Sequence, residues 1–77
     1  MPQLRTRLKV LMAEKALREN RKITQQVVAA ETGVSQSTLS KYANDSMERI
    51  ERETLVKLCV YFDCDVGDLL FIDREAA

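Results

Sequence analysis

The feature that most constrains the fold of this 77-residue chain is a local pattern that occurs four times between residues 23 and 69. In each case an apolar residue precedes a helix N-cap position, and a second apolar residue follows four positions after that cap. Two side chains with this spacing can form a hydrophobic staple, which fixes the direction of the chain as it starts a helix. The cap positions are Thr24, Ser35, Glu51 and Asp65, of which only Glu51 is a poor N-cap residue. They predict helices over residues 25–32, 36–43, 52–62 and 66–70.

A fifth helix is predicted at the N-terminus. Pro2 suits the first turn of a helix. Leu4, Leu8 and Leu11 then recur at the spacing of one helix face, and this apolar pattern ends near Arg18. We therefore predict a helix from the first residues to about Arg18.

Length and composition favour one helical domain. The chain contains only two Gly and one Pro, so few residues would interrupt helices. Seventy-seven residues are sufficient for one small domain with a single core. We predict an all-α fold, a compact five-helix bundle that spans residues 1–77 with an ordered core of about residues 3–72.

The second and third predicted helices have features that allow them to cross closely. Ala29 provides a small side chain at the expected crossing, and Gly33 suits the left-handed position that ends a helix. A turn of about three or four residues between two such helices is typical of a helix-turn-helix unit. The side chains predicted to face inward are Val28, Val34, Leu39 and, in part, Tyr42.

The outer face of the third helix carries polar side chains and no acidic residue. A Gln side chain can pair with adenine N6 and N7, a Lys side chain can reach guanine O6 and N7, and Ser can bond several base edges. The helix N-termini at Gln25 and Gln36 also present backbone N–H groups that suit phosphate. The residues predicted to read bases of double-stranded DNA are Gln36, Ser37, Ser40 and Lys41.

Charge is distributed unevenly, although the formal net charge is zero. Residues 1–22 carry seven Lys or Arg and two Glu, whereas residues 45–77 carry nine Asp or Glu and four Lys or Arg. This asymmetry can orient a neutral molecule on a polyanion, and solvated helix faces would give the same pattern. The residues of the basic segment predicted to contact DNA phosphates are Arg18, Arg21 and Lys22.

Enzymatic, metal-binding and membrane functions are not indicated. The chain has no His for acid–base chemistry near neutral pH. Cys59 and Cys64 are five positions apart, unlike a zinc knuckle, and we predict reduced, packed thiols. We predict no catalytic residue, metal ion or cofactor. Because the sequence contains neither a signal-peptide pattern nor a run of about 18 apolar residues, we expect a cytoplasmic protein without a membrane span.

The segment TQQVVAAETGVSQSTLSKY, residues 24–42, resembles the phage repressor/Cro-type (Xre-like) helix-turn-helix family of transcriptional regulators. That family typically shows TQ-x-x-LA-x-x-x-GVSQSTLS, then one further position and an aromatic or aliphatic residue. Near the C-terminus, KLCVYFDCDVGDLL is similar to the end of small single-domain regulators. The resemblance covers about residues 4–72 and implies a lambda-repressor-like fold with helices 2 and 3 as the helix-turn-helix.

The resemblance also implies roles for individual residues. Gln25 would clamp a backbone phosphate, and Thr38 and Tyr42 could contact phosphate, although Tyr42 is equally suited to the core. The residues that would read base edges in the major groove are Gln36, Ser37 and Lys41, with Ser40 close by. Family members usually act as homodimers on two half-sites about one helical turn apart.

The sequence differs from the family pattern directly after the third predicted helix. Asn44-Asp45-Ser46 replaces the common Asn-Gly-Lys. Asp45 and Glu48 are therefore expected to lie near the DNA phosphates and repel them, with Arg49 as a compensating charge.

Two functions are consistent with these features. The first is a sequence-specific, double-stranded DNA-binding transcriptional regulator that binds DNA as a homodimer. The alternative is an antitoxin-like or adaptor protein-interaction module that keeps the helix-turn-helix fold. Such a module would bind a protein through its acidic C-terminal half or through Phe71 and Ile72. The neutral-to-basic outer face of the third helix separates the two, because an adaptor would not need it.

Overall fold

The computed structural model describes residues 2–75, which form five helices and two short strands. In chain order the elements are β1 (Gln3–Thr6), α1 (Leu8–Glu19), α2 (Gln25–Thr32), α3 (Gln36–Ala43), α4 (Arg52–Phe62), α5 (Val66–Leu69) and β2 (Leu70–Asp73). The bounds of α2, α3 and α4 are those predicted from the caps and the apolar spacing. The predicted domain also includes residues 1, 76 and 77, which lie outside the described residues.

The two ends of the described chain pair with each other as an antiparallel ribbon. Gln3 lies opposite Asp73, and Thr6 lies opposite Leu70. The prediction of an all-α fold was therefore wrong at both ends, and α1 starts only at Leu8. The physical reason is that strand pairing joins residues from opposite ends of the chain. Helical periodicity within one segment cannot reveal such a partner.

Side-chain caps start three of the helices. The Thr24 hydroxyl accepts a hydrogen bond from the backbone N–H of Val27, and the Ser35 hydroxyl accepts one from that of Thr38. At α5 the Asp68 carboxylate accepts a bond of 3.0 Å from the backbone N–H of Asp65, which is the bond of a capping box. These contacts satisfy N–H groups that have no partner inside the helix, so the starts of α2, α3 and α5 are set locally.

All five helices contribute to one aliphatic core. Leu8, Val28, Leu39, Leu58 and Leu69 each have no exposed surface, and each comes from a different helix. Burial of such a side chain stabilises the fold by roughly 1.5–3 kcal/mol relative to exposure. Both α2 and α3 are therefore fixed to the rest of the molecule by the same cluster.

A network of charged side chains joins the end of α1 to α2 and α4. The Arg21 guanidinium makes two bonds of 2.8 Å to the Glu31 carboxylate and one of 2.8 Å to Glu19. The Tyr61 hydroxyl donates to Glu31 over 2.6 Å. The hydrogen bond from Arg21, followed by that from Tyr61, lowers the pKa of Glu31 to about 2. Burial first, and then the bond to Glu31, raises the pKa of Tyr61 to about 12.

The two glycines allow a direct test of the turn between α2 and α3. Gly33 has a φ of 80°, whereas Gly67 in α5 has no positive φ. An added Cβ would meet only Lys57 Nζ at 4.0 Å at Gly33 and nothing within 4 Å at Gly67. We expect Gly33→Ala to lower the free energy of unfolding by about 1–2 kcal/mol through backbone strain alone. Urea unfolding measures the change.

The matched control for this turn is Gly67→Ala, which should be neutral or stabilising by up to about 1 kcal/mol. Equal destabilisation by the two variants would contradict the assignment of the turn.

The depressed pKa of Glu31 predicts how stability depends on pH. The stabilising contribution of this ion pair should be complete above pH about 4.5 and lost as the pH falls towards about 2. Glu31→Gln should therefore show a smaller decrease in urea midpoint across this range than the native chain. Glu14→Gln is the control, because Glu14 forms no ion pair within residues 2–75. The prediction fails if the two variants have the same pH profile.

Candidate nucleic-acid interface

The turn between α2 and α3 is held by backbone and side-chain hydrogen bonds. The Gly33 N–H donates to the Ala29 carbonyl over 2.9 Å as α2 ends. The Thr32 hydroxyl donates to the Val28 carbonyl over 2.7 Å and accepts from the Val34 N–H over 3.1 Å. These contacts leave three residues, 33–35, between the helices. The direction of α3 is therefore fixed relative to α2.

α3 has one buried face and one exposed face. Leu39, Tyr42 and Ala43 are buried, at 0%, 1% and 8% exposure. The four residues predicted to read bases lie outside this buried face: Gln36, Ser37 and Lys41 are exposed, and Ser40 is half-buried. Positions three and four apart on a helix lie on the same face. The structure thus brings together the four predicted side chains as one continuous polar surface.

Residues at the helix starts border this polar surface. Gln25 is the first residue of α2 and is half-buried. Thr38 is in the first turn of α3, and its hydroxyl accepts a bond of 2.9 Å from the Ser35 hydroxyl. A groove of about 330 Å³ lies beside Thr38 and Lys41 and is closed on its other side by Ser46, Glu48 and Arg49.

Tyr42, which was predicted either to contact phosphate or to belong to the core, lies on the inner face of α3. Its side chain is 1% exposed, and its hydroxyl is buried without a hydrogen-bond partner among the described residues. Burial, followed by the charge of Glu51, raises the pKa of the Tyr42 phenol. The helical spacing of Tyr42 with Leu39 places it on the inner face, where it contributes to the core.

Asp45, which was expected to lie near DNA phosphates, contacts the ribbon. Its Oδ1 accepts a bond of 2.8 Å from the Thr6 N–H, and its Oδ2 lies 3.3 Å from Arg5 Nη1. The Thr6 hydroxyl also donates to the Tyr42 carbonyl at the end of α3. Asp45 adopts a positive φ of 56°, which directs the chain away from α3. These roles of Arg5 and Thr6 were not predicted, because helical periodicity placed both residues in a helix, whereas they belong to β1.

The three basic residues after α1 have different surroundings. Arg21 is held by Glu19 and Glu31, and these carboxylates raise its pKa further above the usual range. Arg18 borders a groove with Asp63 and Asp68, which is separate from the groove beside α3. Lys22 is exposed two positions before the cap of α2. The structure therefore does not bring these three side chains into one basic surface with α3.

Other types of site receive no support from the described residues. Within residues 2–75, no three His, Cys, Asp or Glu side chains are grouped so that they could hold a metal ion. None of the five helices there is both long and apolar enough to cross a membrane.

Comparison with known proteins gives one match. The family model described as Cro/C1-type HTH DNA-binding domain matches residues 7–74, which include α1 to α5 and leave β1 outside the match. No curated protein and no solved structure matches the chain significantly. The matched region contains the turn at Gly33 and the exposed face of α3. The chain belongs to the family of Cro/C1-type helix-turn-helix DNA-binding domains.

Proposed function

We propose that this protein is a sequence-specific, double-stranded DNA-binding transcriptional regulator that inserts α3 into the major groove. The observation that carries the proposal is the division of α3 into a buried apolar face and an exposed polar face. Family membership supports DNA as the partner. The chemistry of the exposed face supports selection among DNA sequences.

The base-reading side chains differ in the bonds that they offer. The Gln36 amide suits adenine, because its oxygen and nitrogen can bond N6 and N7 together. Lys41 is a cation that reaches guanine O6 and N7, while Ser37 and Ser40 can donate or accept. Because Gln36 lies in the first turn of α3, it is placed to enter the groove first.

Phosphate contacts would hold α3 in this position. Gln25 lies at the N-terminus of α2, where backbone N–H groups and the helix dipole favour an anion. Thr38 and Lys41 border the groove that extends from α3 towards Arg49. We assign secondary contacts to Arg18 and Lys22. Arg21 would contribute least, because Glu19 and Glu31 already neutralise its charge.

We further propose that the protein binds as a homodimer. A two-fold arrangement would place two copies of α3 on half-sites about 34 Å apart, one turn of the double helix. Each copy would then read the same short sequence on opposite strands.

A protein-interaction module remains the second candidate function. Phe71 and Ile72 on β2 are 40% and 50% exposed, and Leu4 on β1 is 38% exposed. These apolar side chains would suit a protein partner. Such a role requires no base-reading face, so DNA sequence preference distinguishes the two functions.

Selection of binding sites from random duplex DNA, followed by a salt titration, tests the proposed function. We expect a motif with two-fold symmetry, and an affinity that falls steeply as salt increases, because phosphate binding releases counterions. Absence of any enriched motif at low salt would refute sequence-specific binding and favour the protein-interaction module.

Two glutamines test the division between base and phosphate contacts. Gln36→Ala should relax preference at one base position and cost about 1–3 kcal/mol on the selected site. Gln25→Ala should weaken binding to all sequences by a similar factor, because it loses a phosphate contact. Parallel binding measurements on the selected site and on single-base variants separate these effects.

Gln26→Ala is the matched control for both glutamine variants, because Gln26 is an exposed residue of α2 with no assigned contact. The assignment of roles is wrong if Gln25→Ala and Gln36→Ala change base preference in the same way.

A further inference from the structure

Cys59 and Cys64 lie at the two ends of the cap that terminates α4. Asp63 between them adopts a left-handed conformation with a φ of 53°. The Cys64 N–H donates to the Cys59 carbonyl over 2.9 Å, and the Asp63 N–H donates to the Val60 carbonyl over 3.2 Å. This pair of bonds defines a Schellman motif, in which the side chains at the positions of Cys59 and Cys64 commonly make contact.

The backbone hydrogen bond limits the separation of the two cysteines. The Cα of Cys64 is bonded to the donor nitrogen, and the Cα of Cys59 is bonded to the carbon of the acceptor carbonyl. With standard bond lengths, the 2.9 Å bond keeps these Cα atoms within about 6.8 Å of each other. Disulfide-bonded cysteines usually have Cα separations of about 4.4–6.8 Å. The backbone therefore holds the pair at a distance that a disulfide can span.

The two thiols also share one environment. Both are free and half-buried, and both border an apolar groove of about 310 Å³ with Val56, Val60 and Val66. Burial raises the pKa of the Cys64 thiol to about 11, and the neighbouring Cys59 thiol adds to this effect. The side chains are thus close together at a surface that small reagents can reach.

We propose that Cys59 and Cys64 form a reversible intramolecular disulfide that joins the end of α4 to the start of α5. The oxidant would be a low-molecular-weight disulfide. The thiolate of one cysteine attacks a sulfur of this disulfide, forms a mixed disulfide and releases one small thiol. The thiolate of the second cysteine then attacks the protein sulfur and releases the second small thiol. The protein loses two protons and two electrons, which reduce the small disulfide to two thiols.

The proposed disulfide would lie in a segment that is connected to the ribbon. α5 leads directly into β2, and β2 pairs with β1, which binds Asp45 and the Tyr42 carbonyl after α3. A disulfide that closes the loop of residues 59–64 would lower the conformational entropy of the unfolded chain. It would change the folded chain less, because the cap already holds the two ends of this six-residue loop together. The oxidised form should therefore be the more stable one.

Equilibration of the full chain with reduced and oxidised glutathione tests the proposal. Mass spectrometry should show a monomer that has lost two hydrogens, and maleimide should no longer label either cysteine. The equilibrium constant for this bond should be at least about tenfold larger in native buffer than in denaturing urea, because the fold positions the thiols. The oxidised form should also have a thermal midpoint several degrees higher.

A serine variant shows whether the second thiol displaces glutathione from the first. Cys64→Ser should accumulate a stable glutathione adduct on Cys59, which the native chain should not retain. The proposal is overturned if native chains form intermolecular dimers or stable adducts on both thiols. An equilibrium constant that is no larger in native buffer than in urea would also overturn it, because it would show that the cap does not favour the bond.

Discussion

Burial of one face of α3 is the interaction on which the rest of the structure depends. Leu39 and Tyr42 on this face have almost no exposed surface, and they contact a core to which every helix contributes. Because a helix repeats every 3.6 residues, burial of positions 39, 42 and 43 leaves 37 and 41 on the opposite side, with 36 and 40 next to them along the edge of the buried face. The core thus determines which side chains α3 presents to a partner.

The ribbon gives α3 a second support at its C-terminal end. Thr6 bonds both the Asp45 carboxylate and the carbonyl of Tyr42, while Arg5 bridges Asp45 and Asp73. Asp45, which was expected to repel DNA phosphates, thus connects β1 to the end of α3. Since α5 continues directly into β2, the cap that contains Cys59 and Cys64 belongs to the same connected structure.

Most of the helical fold could be predicted because its signals are local. The caps at Thr24 and Ser35 and the left-handed residue Gly33 act within a few positions of themselves. They set the bounds of α2 and α3 whatever surrounds them. The ribbon could not be predicted this way, because Gln3–Thr6 is a short segment whose strand partner lies near the other end of the chain. Leu4 also happened to continue the helical spacing of α1, so the local signal was misleading.

In the candidate site, too, some features follow from local sequence and others depend on tertiary packing. By itself the sequence determined that Gln36, Ser37, Ser40 and Lys41 share a helix face, because their spacing and the position of Leu39 leave no other arrangement on an α-helix. Only the tertiary structure decided the surroundings of the charged residues. Long side chains such as Arg21 pair with whatever carboxylate the fold brings within reach, and here these include Glu31 of α2. Packing of one helix against another, which no local pattern encodes, therefore determines which charges remain available to a partner.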